Sequence, residues 1–206
     1  MKENTFIKNI IEKAKQKKIV LLISLVYNFV WAVCKIVFGI FTFSYFFCVS
    51  GANTLLFGFI KRIYLKNYQS NQKQKIEKSI TIATLLMVSG FLFTFYMARM
   101  FFNPTIKEYG TILAITIATF SFFELGYSIY NFLKAKKSND ILLQSYRGYN
   151  LVSSLFAIVL TQVALCSMQK AQSNVFNGIT GVVCGVGAII ISIYLLVKAV
   201  KESKVV

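Results

Sequence analysis

The sequence predicts an all-α polytopic membrane protein, a bundle of six transmembrane helices preceded by a short basic amphipathic helix. Three observations carry the prediction. Hydrophobic residues make up 56% of the 206-residue chain and charged residues only 15%, where a soluble domain carries about a quarter charged; mean hydropathy is +0.63. Apolar runs of roughly 20 residues recur, each long enough to cross a hydrocarbon core of about 30 Å as a helix. The Lys and Arg residues cluster between those runs rather than along them.

The elements follow in order. In residues 1–18, Phe6, Ile7, Ile10, Ile11 and Ala14 recur at spacings of three and four, while Lys8, Lys13, Lys15, Lys17 and Lys18 fill the remaining surface. That pattern predicts a helix lying at the membrane surface and running without a break into the first span. The spans are expected at about 19–41, 44–65, 79–102, 109–133, 141–168 and 175–198. A very short turn near 41–44 joins the first two. Asn103, Pro104 and Gly110 mark the third turn, and the run 134–140 marks the fourth. No connection is long enough to separate domains, so residues 1–206 read as a single transmembrane domain. No small-residue cleavage site follows the first apolar run, and no cleavable signal peptide is expected.

Charge sets the orientation. Lysines of the N-terminus, then Lys61, Arg62, Lys66, Lys73, Lys75 and Lys78, then Lys134, Lys136 and Lys137, and finally Lys198, Lys201 and Lys204 all fall on one side of six spans. The other side carries Lys107 and Lys170. By the positive-inside rule the protein is an integral cell-membrane protein with both termini cytoplasmic, its basic loops facing anionic lipid.

The same distribution excludes other classes. A net charge of +16 would suggest nucleic acid if it formed one basic face on a soluble domain; between apolar spans it reads as topology, and no nucleic-acid partner is expected. The chain has no His, and only one carboxylate lies deep in a span, so no acid–base pair, triad or metal-hydroxide site of the usual kinds can be assembled. An enzyme is not expected, nor is a cofactor. Cys34, Cys48, Cys166 and Cys184 lie in apolar segments without CxxC spacing and read as small apolar residues.

Ionisable groups at bilayer depth are functional candidates by default. Arg99 lies near the outer end of its span. Lys35 lies roughly 10 Å below the outer turn at 1.5 Å per residue. Both are long enough to snorkel to the surface. Glu124 falls within about one turn of the middle of the fourth span, and Arg147 enters the fifth from its cytoplasmic end by about 10 Å. An intramembrane Glu124–Arg147 ion pair is the favoured reading. A protonatable Glu124 on a transport path is the alternative. Gly178, Gly181, Gly185 and Gly187, with Ser50, Gly51, Ala52 and Gly58, permit close backbone approach; intramolecular packing is favoured over a homodimer seam. Asn28, Asn53, Asn150 and Gln162 can bond between helices.

At the opening hairpin the residues Asn28-x6-Lys35-x3-Gly39-x4-Ser44 form a pattern that resembles the first two helices of cation diffusion facilitators. The resemblance implies six spans with cytoplasmic termini. It also implies metal ligands where this chain has Ser50, Asn53 and Phe57, and in the fifth span Tyr146 and Asn150 ahead of LVSSLFAIVL. None of those side chains is a carboxylate, imidazole or thiolate, so the divalent metal site is missing from the pattern, as is the family's cytoplasmic domain after the sixth span. Two functions are then expected. One is a small transporter on a facilitator-like scaffold, with Asn28, Asn53, Glu124, Tyr146 and Asn150 lining its path. The other is a non-transporting membrane scaffold that binds lipid or a partner.

Overall fold

The computed structural model describes residues 2–41, 45–99, 101–102, 111–168 and 174–204, with the side chains of 2–18 and of scattered helical positions, Glu124 among them, outside the described set. The described residues form six helices: α1 (Lys2–Phe41), α2 (Tyr45–Asn67), α3 (Gln72–Arg99), α4 (Thr111–Lys136), α5 (Ile141–Met168) and α6 (Asn174–Ser203). Each expected span falls on one helix, and apart from the start of α1 the ends agree to within about seven residues. The basic N-terminal segment and the first span are one continuous helix of 40 residues. The turn expected at 103–110, and Lys107 and Lys170, lie outside the described residues.

Crossing a membrane is a stricter requirement than being helical. Among the described residues two helices are both long and apolar enough for it, Gln72–Arg99 and Val175–Ser203, and Leu21–Val37 is a shorter apolar stretch. The outward faces nevertheless have the character of a lipid-facing surface. Val175, Phe176, Ile179, Val183, Val186, Ile190, Ile193 and Val197 line an exposed stripe along α6, while the buried positions of the bundle include seven serines. Apolar outside and small polar inside reverses the pattern of a soluble bundle.

The helices pack as two compact units, residues 1–67 and 68–206. The first is the α1–α2 hairpin. In the second, α5 is the central element: it packs against α3, α4 and α6, and α3 packs in turn against α6. This centrality explains the burial of α5, where Ile141, Leu142, Val152 and Val159 are fully buried. Phe93 of α3 stacks on Phe156 of α5 with ring centroids 3.9 Å apart.

Three glycines of α6 sit where the sequence expects close packing, against α3. A Cβ at Gly185 would lie 3.1 Å from Thr94 Cα, a backbone atom that cannot step aside, and one at Gly178 would lie 3.0 Å from Phe101. Gly90 on α3 meets Ile189 of α6 in the same way, at 2.8 Å. Gly181 packs on Met97. Gly187 faces elsewhere, its nearest neighbour being Leu155 Cδ1 at 3.9 Å. Gly185→Val should therefore cost about 1–3 kcal/mol through overpacking and lower the melting temperature in detergent, whereas Gly187→Ala should leave it unchanged or slightly raised, because Ala is the better helix former. Thermal unfolding followed by circular dichroism separates the two.

Candidate functional site

The polar side chains of the structure gather in two places, one in each unit. In the four-helix unit they lie at the end where α3 begins and α6 finishes. Asp140 caps α5: its Oδ1 accepts from the backbone N–H groups of Leu142 and Leu143, both at 3.1 Å. Its Oδ2 accepts from Lys75 of α3 at 2.8 Å. One turn further along α5, the buried Gln144 donates to the Ser138 carbonyl at 2.6 Å and accepts from Lys198 of α6 at 2.6 Å. Lys136 sits 5.4 Å from the Tyr194 ring centroid. Each basic residue is thus tied to a different helix from its own. At the opposite end, Gln162 of α5 donates to the Phe176 carbonyl at 3.3 Å and to Asn177 Oδ1 at 3.4 Å, the interhelical role expected of it.

This first cluster is built to hold helices together. Asp140 carries two functions that substitution can separate. Asp140→Asn keeps an oxygen to cap α5 and loses the partly exposed ion pair, which is worth up to about 1 kcal/mol. Asp140→Ala loses the cap as well, a further ~1 kcal/mol. The expected order of melting temperatures is wild type, Asn variant, Ala variant; equal losses for both would show that capping contributes nothing.

The second cluster lies in the α1–α2 hairpin. Gly51 brings the two backbones together: a Cβ there would lie 3.1 Å from the Ala32 carbonyl oxygen and from Ile36 N. That close approach sets Ser50 beside Lys35. The ammonium donates to Ser50 Oγ at 3.1 Å and to Thr54 Oγ1 at 3.3 Å, and lies 5.9 Å from the centroid of the Trp31 ring. Thr54 passes its own proton to the Ser50 carbonyl at 2.7 Å. Near the other end of the hairpin, Lys61 is nearly buried and donates to Ser24 Oγ at 2.7 Å.

Lys35 corrects the expectation that it could snorkel towards the turn. Helical side chains lean towards the N-terminus of their own helix, and α1 runs into the turn. The lysine therefore leans away from it, over Trp31 one turn back and towards Thr54, which lies nine residues into α2. At 1.5 Å per residue that is about 13 Å from the start of α2. Two hydroxyls hold the ammonium at a depth that the helix direction imposes.

The residues expected to line a path divide between the units. Asn53 is buried and Asn28 half-buried in the hairpin; Tyr146 is buried and Asn150 half-buried, one turn apart on α5. Glu124 is placed on α4, but its side chain is outside the described residues, so the expected pair with Arg147 is not addressed. The Arg147 guanidinium lies 5.9 Å from the Tyr146 ring centroid. Among the described residues no three His, Cys, Asp or Glu side chains come together as a metal site. Sequence reasoning missed Thr54 and Trp31, and noticed Ser50 only as a small residue and a register position. The usable signal was negative: no Asp or Glu occurs between Glu12 and Glu77, so a lysine inside that stretch has no carboxylate close to it along the chain.

Comparison with protein-family models, with curated proteins and with solved structures finds no match for this chain.

Proposed function

We propose that this chain is an integral membrane protein of six spans with both termini cytoplasmic, and that it acts by binding lipid or a membrane partner rather than by transport or catalysis. The observation that supports this most is the filled interior of the four-helix unit. Several of its buried hydroxyls are bonded within their own helices: Ser79 to the Lys75 carbonyl at 2.7 Å, Thr161 to Ala157 at 3.1 Å and Ser192 to Ala188 at 2.7 Å. Ser154 bonds the Leu151 carbonyl at 2.8 Å. Groups satisfied in this way need no water and line no wet path. Between them Leu86, Val152, Val159 and Leu195 are fully buried around the Phe93–Phe156 stack.

The second reading is a small transporter on a scaffold resembling the cation diffusion facilitators, without their divalent metal site. One observation favours it: the buried Ser145 hydroxyl has no hydrogen-bond partner, and it adjoins Tyr146 on α5. A buried polar group left unbonded is costly and marks a place where a water or a substrate group would be stabilised. The pathway residues remain Asn28, Asn53, Glu124, Tyr146 and Asn150.

Reconstitution separates the readings. Proteoliposomes carrying a pH-sensitive dye and a divalent-cation dye should show no flux above protein-free vesicles, with or without Glu124→Gln. In a chain whose native cysteines are replaced, Ser154→Cys should resist a charged thiol reagent. Flux that disappears with Glu124→Gln, or rapid labelling at position 154, would establish the transporter instead.

A further inference from the structure

Lys35 has chemistry that the filled bundle lacks. An ammonium offers three N–H donors. Two meet Ser50 Oγ and Thr54 Oγ1, at 3.1 and 3.3 Å. Both acceptors are neutral, and the nearest carboxylates along the chain are Glu12 and Glu77, outside the apolar hairpin. A hydroxyl that accepts a hydrogen bond keeps its own proton to donate. Thr54 has spent its proton on the Ser50 carbonyl, whereas Ser50 has not spent its own on that carbonyl. Among the described residues the cluster therefore presents a positive charge, an ammonium donor and a hydroxyl donor beyond the bonds already made, on two helices brought together at Gly51. Charge-assisted hydrogen bonds of this kind are strongest where water is scarce.

From this we infer that Lys35, Ser50 and Thr54 form a receptor for an oxyanion, a carboxylate or phosphate oxygen that supplies the negative charge absent from the stretch between Glu12 and Glu77. The anion can come from the head group of an anionic lipid or from a small free oxyanion; the chemistry of capture is the same. This inference deepens the binding reading above and rests on it for placing the hairpin in a bilayer.

The site has a built-in reporter. Trp31 is the only tryptophan of the chain, and its ring lies 5.9 Å from the Lys35 ammonium. The full-length protein in a neutral detergent is titrated with oleate, with phosphatidylglycerol, with acetate and with inorganic phosphate, and phosphatidylcholine serves as the zwitterionic control. Trp31 emission is expected to change saturably with an oxyanion and not with phosphatidylcholine. Saturation by oleate or phosphatidylglycerol alone assigns the site to lipid; saturation by acetate or phosphate as well assigns it to free oxyanions. The midpoint should rise by at least about tenfold in Lys35→Met, the loss of one charge-assisted bond, and stay close to wild type in Lys35→Arg. If Lys35→Met fails to fold, the Ser50→Ala/Thr54→Val double variant decides, with a weakened midpoint expected. No saturable change with any oxyanion, or a midpoint unmoved in every variant that folds, overturns the inference. Loss of binding without flux in the reconstitution leaves the non-transporting reading intact, whereas binding together with flux keeps the site and overturns that reading.

Discussion

A polar group in a place without water must find its partner inside the protein, and the arrangement of this chain follows from that constraint. Ser79, Thr94, Thr161 and Ser192 donate to carbonyls of the preceding turn of their own helices. The longer Gln144, Lys35 and Lys61 side chains reach beyond their own helices. Gln144 uses both ends of its amide, one on the Ser138 carbonyl and one on Lys198, and so draws the α4–α5 turn and α6 onto α5. Lys35 and Lys61 reach across the hairpin to hydroxyls. In each case the bond that satisfies the group is also the bond that fixes one helix against another.

Apolar packing supplies the rest. Between helices whose outward faces are as apolar as lipid, association depends on close contact rather than on burial from water. The glycines of α6 meet Thr94 and Met97 of α3 and Phe101 just after it, and Gly51 meets the backbone of α1. Without a Cβ at these positions the polar side chains come within hydrogen-bond range; with one, Ser50 would be held away from Lys35. Small residues and polar bonds are therefore parts of one device.

Much of this was legible in the sequence. Hydropathy and charge clustering located six helices, because a long apolar run between basic loops has few other ways to satisfy its backbone. The glycine spacing in α6 pointed to close packing, and the structure places it on α3. Two things were not legible. Division into two packing units depends on which helices touch, and periodicity in a helix that is apolar on every side does not say so. The fate of Lys35 was misjudged because depth alone suggested escape to the nearer surface; the direction in which α1 runs, which tilts its side chains away from the turn, decides the matter. For Asn28, Asn53, Tyr146 and Asn150 residue type suggested a shared path, but type carries no information on whether separate helices converge.

The proposed membrane topology carries the most weight, since both the dry bundle and the oxyanion receptor presuppose it. Single cysteines introduced at Asn71, Lys107, Ser138 and Lys170 into a chain without its native cysteines test it directly. With a membrane-impermeant maleimide on intact cells, positions 107 and 170 should label at once, and positions 71 and 138 only after the membrane is permeabilised. Labelling of 71 or 138 on intact cells, or protection of 107 and 170, would contradict six spans with cytoplasmic termini.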